Sequence, residues 1–370
     1  MNLPEPLQQV GRTYVRWKGR KLSYFAGCDY FRLASHPAVI KALRNGVKQY
    51  GLSVAASRLT TGNHELYEKL EGALRQFFGA ETATLASSGY APNLMAAQAL
   101  AGQFSHALMD ERAHASLVDA AQLLDCPVLK FKHRDADDLA RVLHRLGDIK
   151  PIILTDGMFS HDGGIAPLRD YLRLLPPKGM VLLDDAHGAG VLGATARGTP
   201  QYAGVPTRQI IQTITLSKAF GVYGGAVLGA RSLREAILSR SRVFVGNTPL
   251  PLPLANAAIA AITLLRTDRG LSRRLAQNAG SFKKRLGSSG FPVPDNPCPI
   301  LPVIPENERQ AGSLKRQLLA MGIHPPFIKY PGGPVNGYFR FVISSEHTPK
   351  QLGALLEALL KWQTESSGRR

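Results

Sequence analysis

The chain has 370 residues, 44% of them hydrophobic, and carries 45 Lys and Arg against 27 Asp and Glu, a net charge of +18. That length fits one large domain plus a smaller one, and no apolar run approaches the ~20 residues needed to span a membrane. The cysteines, Cys28, Cys126 and Cys298, are too far apart for a disulfide framework or a zinc pattern, so a reducing cytoplasm is the expected compartment. The start, Met1 to Pro6, lacks the basic and apolar regions of a signal peptide. Basic residues are spread along the chain, densest at Arg12 to Lys21 and Lys130 to Arg134. The charge therefore reads as a solvated surface suited to an anionic co-substrate, with neither membrane nor nucleic acid as the expected partner.

Residues 1–35 read as a short lead-in, with a hairpin from Arg16 to Phe25 that turns at Gly19. Pro37 then opens a helix, because proline is tolerated in a first turn. A polar loop, Ser57 to Glu65, leads into a helix whose apolar stripe of Leu66, Leu70, Ala73, Leu74 and Phe77 stops at Gly79. From there strands and helices alternate. Strands are predicted at 82–86, 106–109, 127–131, 151–155, 180–184, 210–216 and 225–229, and helices at 93–100, 116–124, 136–146 and 168–175. Seven short apolar strands separated mostly by helices predict an α/β fold with a mainly parallel sheet covered on both faces, within a large domain over 36–250. After residue 250 the pattern changes to helices at 256–265, 271–286, 310–321 and 349–362 with strands at 300–304 and 338–344, a smaller α+β domain over 251–370. The tail from Thr364 to Arg370 reads as frayed.

Ligands of such sheets sit outside the carboxyl ends of the strands, and three segments place chemistry there. Ser87-Ser88-Gly89-Tyr90 joins a strand to a helix, where backbone N–H groups and the helix dipole suit a phosphate; by itself such a turn can equally be a cap. Leu183-Asp184-Asp185-Ala186-His187-Gly188 delivers two carboxylates and a histidine from a buried strand. A carboxylate there needs a cation or a protonated ring nitrogen, and no further ligand spacing supports a metal. Thr213 to Gly221 ends an apolar, β-branched run on Lys218, which can act as a nucleophile at a cleft edge or simply be solvated. A phosphate cradle, an acid for a pyridinium nitrogen and a lysine for an aldehyde are what pyridoxal 5'-phosphate requires.

These segments, with Ser57-Arg58-Leu59-Thr60-Thr61-Gly62-Asn63, Ala113-His114-Ala115-Ser116 and Thr155-Asp156-Gly157-Met158-Phe159-Ser160-His161-Asp162-Gly163, resemble the α-oxoamine synthases among fold-type I pyridoxal-phosphate enzymes, which are class II aminotransferase-like. The resemblance spans about residues 22–362. It implies that Lys218 bonds the cofactor aldehyde and later removes the substrate α-proton, that Asp184 pairs with the ring nitrogen, that His187 bonds the ring hydroxyl with Ser160 nearby, and that His114 stacks on the ring. It further implies phosphate contacts from Ser88, Gly89, Tyr90 and Thr215, a supporting role for Asn93, a hydroxyl from Thr248 across a homodimer interface, and a carboxylate clamp at Arg340. An arginine fork suits that last task. The implied reaction is the decarboxylative condensation of an amino acid with an acyl thioester. The alanine-using branch of biotin formation fits best, with a pimeloyl group on coenzyme A or on acyl carrier protein.

The sequence departs from the family near Cys28-Asp29-Tyr30-Phe31-Arg32, at Ser53-Val54-Ala55-Ala56 and at Phe244 to Pro249. Cys28 stands where the family has asparagine and Arg32 where it has glycine, which suggests that Arg32 reads a negative group on the acyl donor. Two alternatives remain: a glycine- or serine-using member of the same family, and a catalytically silent binding protein that uses its basic surface.

Overall fold

The computed structural model describes residues 4–329 and 333–367, so the last three residues of the expected frayed tail lie outside the described residues. The chain forms two compact units. The smaller takes residues 4–36, Ser160–Gly164, 269–329 and 333–367, and the larger takes Pro37–Phe159 and Ile165–Asp268.

In the smaller unit, β1 (Gln8–Gln9), β2 (Tyr14–Trp17) and β3 (Arg20–Ser23) form an antiparallel sheet, with the turn at Lys18 and Gly19. In the larger unit, α1 (Pro37–Tyr50) and α2 (Glu65–Phe78) precede the sheet. The His64 imidazole caps α2 by accepting from the Leu66 N–H, and Gly79 ends it at φ 69°. The sheet strands and their helices follow: β4 (Thr82–Ala86), α3 (Ala91–Leu100), β5 (His106–Asp110), α4 (Ala115–Ala121), β6 (Val128–Phe131), α5 (Ala136–Leu146), β7 (Pro151–Asp156), α6 (Leu168–Leu174), β8 (Met180–Asp184), α7 (Thr199–Ala203), β9 (Ile210–Thr215) and β10 (Gly225–Gly229). The order is β4-β10-β9-β8-β7-β5-β6.

The seven expected strands are all present. Four ladders are parallel, and β10 runs antiparallel to both β4 and β9. The connection from Thr215 to Gly225 is too short for a crossover helix, so the chain can only fold back. Side-chain alternation explains why the central strands are continuous apolar runs. Ile152, Leu154, Leu182 and Ile211 face one core with Met95 and Leu117, whereas Ile153, Val181, Leu183 and Ile210 face the other with Leu139 and Tyr171.

Beyond the sheet, the larger unit adds α8 (Arg231–Arg240), α9 (Arg242–Val245) and α10 (Leu252–Thr267). Helix α8 was not expected, because only Leu233 and Ile237 mark its buried face. Helix α10 lies in the larger unit, so the division falls at 268/269 and not at 250. Gly46 permits the close approach of α10 to α1: a Cβ there would come within 2.8 Å of the Pro253 Cα. The smaller unit is completed by α11 (Arg269–Gly287), β11 (Ile300–Val303), α12 (Glu308–Ala320), β12 (Phe327–Ile328), β13 (Tyr338–Val342) and α13 (Pro349–Ser367). The N-terminal residues belong to it and are no separate lead-in: Ser23 N–H donates to Gly322 O at 2.8 Å, and Val342 N–H donates to Phe25 O at 2.8 Å.

In the larger unit, Arg58 and Arg234 converge on the buried Glu71 at 2.6 and 3.1 Å, and Glu71 also accepts from the Leu85 N–H. This ties the Ser57–Asn63 loop to the sheet edge. Glu71→Ala leaves two arginines without their anion and is expected to cost about 3–5 kcal/mol, measured as a lower urea midpoint; a shift within ~0.5 kcal/mol, the scale of an ordinary surface substitution, would contradict this.

Candidate active site

The site is built at the carboxyl end of β8. Asp184 is 5% exposed, and its carboxylate accepts from Asn93 Nδ2 at 2.7 Å, Ser116 Oγ at 3.3 Å and the Ala186 N–H at 3.1 Å. Asn93 is fixed in turn by Thr213 Oγ1, which donates to its Oδ1 at 2.6 Å. Helices α3 and α4 and strand β9 therefore hold one carboxylate. Among the described residues it forms no ion pair with Lys, Arg or His. A buried anion with neutral donors alone suits a ligand cation or protonated ring nitrogen.

His114 precedes α4. Its backbone N–H donates to Asp156 Oδ2 at 2.8 Å, and its Nδ1 accepts from the Ser116 N–H at 3.2 Å. Desolvation lowers its pKa, opposed by Asp184 and reinforced by Lys218. The residue itself is exposed, which leaves ring surface for a ligand. Tyr90 meets it edge-on at 6.0 Å, and the Tyr90 hydroxyl donates to Asp119 Oδ2 at 2.5 Å.

Ser88 caps the start of α3, its Oγ accepting from the Ala91 N–H at 3.3 Å. Gly89 abuts Thr215 so closely that a Cβ would overlap the Thr215 hydroxyl. Only glycine lets the α3 start, with its positive dipole end, close on the end of β9. Lys218 follows on the turn after β9 and is half-buried. Gly221 at φ 64° and Gly224 at φ 110° turn the chain back. His187 is buried on the turn that leaves Asp184.

Asp185 explains how that turn is held. Its carboxylate is fully buried and accepts from Thr199 Oγ1 at 2.6 Å, the Thr199 N–H at 2.9 Å and Gln212 Nε2 at 2.7 Å. Cβ atoms on Gly157, Gly188 or Gly198 would each collide with it. Burial pushes its carboxyl up to about 7, against the pull of Thr199 and Gln212. Sequence reasoning missed Ser116, Thr213, Thr199 and Gln212. The signal for Thr213 was its period-2 spacing from Thr215, which puts both on one face.

The remaining candidates do not join this network. Thr248 is exposed, and no hydrogen bond links it to the others among the described residues. Its neighbour Asn247 donates to Ser87 Oγ at 2.7 Å. Arg340 and Ser160 lie in the smaller unit, where Arg340 donates to the Ser160 carbonyl at 3.2 Å. Arg32 is corrected. It is 4% exposed, sits 5.4 Å over the Tyr24 ring and donates to the carbonyls of Tyr24 at 3.1 Å and Ala26 at 3.3 Å. Its two terminal nitrogens donate to backbone oxygens and its Nε is buried, so the side chain serves the packing of this unit and not the exposed contact expected of it.

The residues fit pyridoxal 5'-phosphate: a glycine-lined helix start for its phosphate, a buried acid for its ring nitrogen and a half-buried lysine for its aldehyde. The aminotransferase class I and II family matches residues 28–359. The chain is 37% identical to the 8-amino-7-oxononanoate synthase of Thioalkalivibrio sulfidiphilus, over 92% of this chain and 88% of that protein. It is 35% identical to that of Trichlorobacter lovleyi, over 96% and 93%. Among solved structures, a serine palmitoyltransferase from S. paucimobilis with bound PLP and myriocin superposes with a TM-score of 0.90 at 28% identity, covering 98% of this chain and 92% of that one. The 8-amino-7-oxononanoate synthase of Francisella tularensis gives 0.81 at 26%, over 94% and 99%. No helix among the described residues is long and apolar enough to cross a membrane.

Gly198→Ala forces a Cβ into the Asp185 carboxylate at a φ of 93°. It is expected to destabilise by about 1–3 kcal/mol or more, read as a lower melting temperature, and an unchanged melting temperature would contradict the packing described.

Proposed function

The chain belongs to the aminotransferase class I and II family, within it to the pyridoxal-phosphate-dependent α-oxoamine synthases, and we propose that it condenses L-alanine with a pimeloyl thioester to give 8-amino-7-oxononanoate and carbon dioxide. The observation that carries the chemistry is the Asp184 carboxylate, held by Asn93, Ser116 and Ala186 and, among the described residues, in no ion pair. Family membership displaces the reading as a non-catalytic binding protein.

When bound, pyridoxal 5'-phosphate supplies an aldehyde that captures the amino acid and a ring that takes up the electron pair left at its α-carbon. In the proposed assignment Lys218 would hold that aldehyde at rest, and as a neutral amine it would take the α-proton of the amino acid. Asp184 keeps the ring nitrogen protonated, with Asn93 acting through Asp184. His114 lies against the ring face, and His187 with Ser160 addresses the ring hydroxyl. Ser88, Gly89, Tyr90 and Thr215 hold the phosphate, joined by Thr248 of a second copy in a homodimer. Arg340 clamps the substrate carboxylate. The α-carbon attacks the thioester carbonyl and expels the thiol. Carbon dioxide then leaves, and a proton returns to the carbon. The thiol carrier is coenzyme A or an acyl carrier protein, and the compartment proposed is the cytoplasm.

The serine-using branch is the second reading, favoured by the serine palmitoyltransferase superposition. Loaded enzyme supplied with alanine, glycine or serine, each with pimeloyl-, acetyl- or palmitoyl-CoA, separates the branches by thiol release and product mass. Alanine with pimeloyl-CoA is expected to give product; product from serine with palmitoyl-CoA alone, or glycine with acetyl-CoA alone, would move the chain to another branch. Lys218→Ala is expected to lower turnover by about 10²–10⁴-fold or more, and retained turnover would exclude Lys218 as the base.

A further inference from the structure

Strands β7 and β8 run parallel and in register at their carboxyl ends, with Asp156 opposite Asp184. In-register side chains on neighbouring strands leave the same face about 4.8 Å apart. Both residues are 5% exposed. Two ionised carboxylates so placed oppose each other, and a shared buried site raises the proton affinity of one of them. The donors are divided unequally. Asp184 accepts from Asn93, Ser116 and Ala186, whereas among the described residues the Asp156 side chain accepts only from the His114 N–H, at 2.8 Å. The anion belongs where the donors are.

We propose that Asp156 is a positioning residue of this site that keeps its proton at neutral pH, so that the pair presents one negative charge on Asp184 to the cofactor ring, while one Asp156 oxygen anchors the start of α4 and with it His114. This rests on the cofactor-site reading above. The groups that face Asp156 agree. Burial and the Asp184 charge push its carboxyl well above the usual range, Asp110 at the end of β5 adds to the rise, and the His114 N–H and Lys218 pull it back. The arrangement lets the ring nitrogen meet a single charge in place of two, and it needs an acceptor at position 156 but no charge there.

The sign of the pH dependence follows. A carboxyl raised in the native state is protonated there while the unfolded chain has released its proton. It therefore lowers stability progressively as pH rises from about 4 through its folded value. Asn at 156 keeps an acceptor oxygen for His114 and cannot ionise. Wild type, Asp156→Asn and Asp156→Ala are compared in two measurements: the melting temperature of the cofactor-free protein from pH 5 to 8.5, and the dissociation constant for pyridoxal 5'-phosphate at pH 7.5 from fluorescence quenching. Asp156→Asn is expected to melt above wild type at pH 8.5 with the gap closing towards pH 5, and to bind cofactor within about 3-fold of wild type. Asp156→Ala is expected to weaken cofactor binding by about 10-fold or more. A gap independent of pH, or an Asn variant that binds as weakly as the Ala variant, would overturn the proposal. Neither readout requires turnover, so failure to find a condensation product would count against the function and leave this inference to stand or fall separately. If wild type itself shows no saturable cofactor binding, the cofactor-site reading fails, and the proposal falls with it.

Discussion

The site depends on a carboxylate buried at the end of a strand that is itself buried on both faces. Asp184 ends a run, Met180–Asp184, with apolar cores on either side, so the backbone that carries it has little freedom. An anion in that position costs several kcal/mol unless it is hydrogen-bonded and matched by a positive partner. Asn93, Ser116 and Ala186 provide the hydrogen bonds. The positive partner is left to the ligand, and this makes the site receptive to a protonated ring nitrogen.

Close backbone approach does much of the positioning. Gly89 lets the first turn of α3 reach Thr215, and Gly157, Gly188 and Gly198 surround the Asp185 carboxylate. With Thr199 and Gln212 as donors, Asp185 anchors the segment that leaves β8 and carries His187. The two adjacent acids thus divide the work: Asp184 is presented and Asp185 is buried in its own donors. Rigid placement of this kind is what a catalytic site needs, since ligand groups must find their partners without reorganising them.

Much of this was legible in the sequence. The seven strands, the helix end at Gly79 and the placement of chemistry at strand ends follow from hydrophobic periodicity and turn residues, which are local properties. What escaped depended on tertiary neighbours. Ser116 and Gln212 look like ordinary polar residues until folding brings them to Asp184 and Asp185. Arg32 looked like a ligand contact because it stands where the family has glycine, yet it is buried and donates to the carbonyls of Tyr24 and Ala26. The division between units was misplaced because α10 is apolar enough to suit either side, and its fit against Gly46, with Asn256 donating to the Ala42 carbonyl at 2.7 Å, assigns it.

The central claim is that Lys218, on the turn after β9, bonds the cofactor. The direct measurement is borohydride reduction of the protein loaded with pyridoxal 5'-phosphate, followed by peptide mapping by mass spectrometry. The account predicts one modified peptide, carrying the adduct on Lys218, and its loss when excess amino acid is added before reduction. An adduct confined to other lysines, or an equal scatter of adducts in Lys218→Ala, would contradict it.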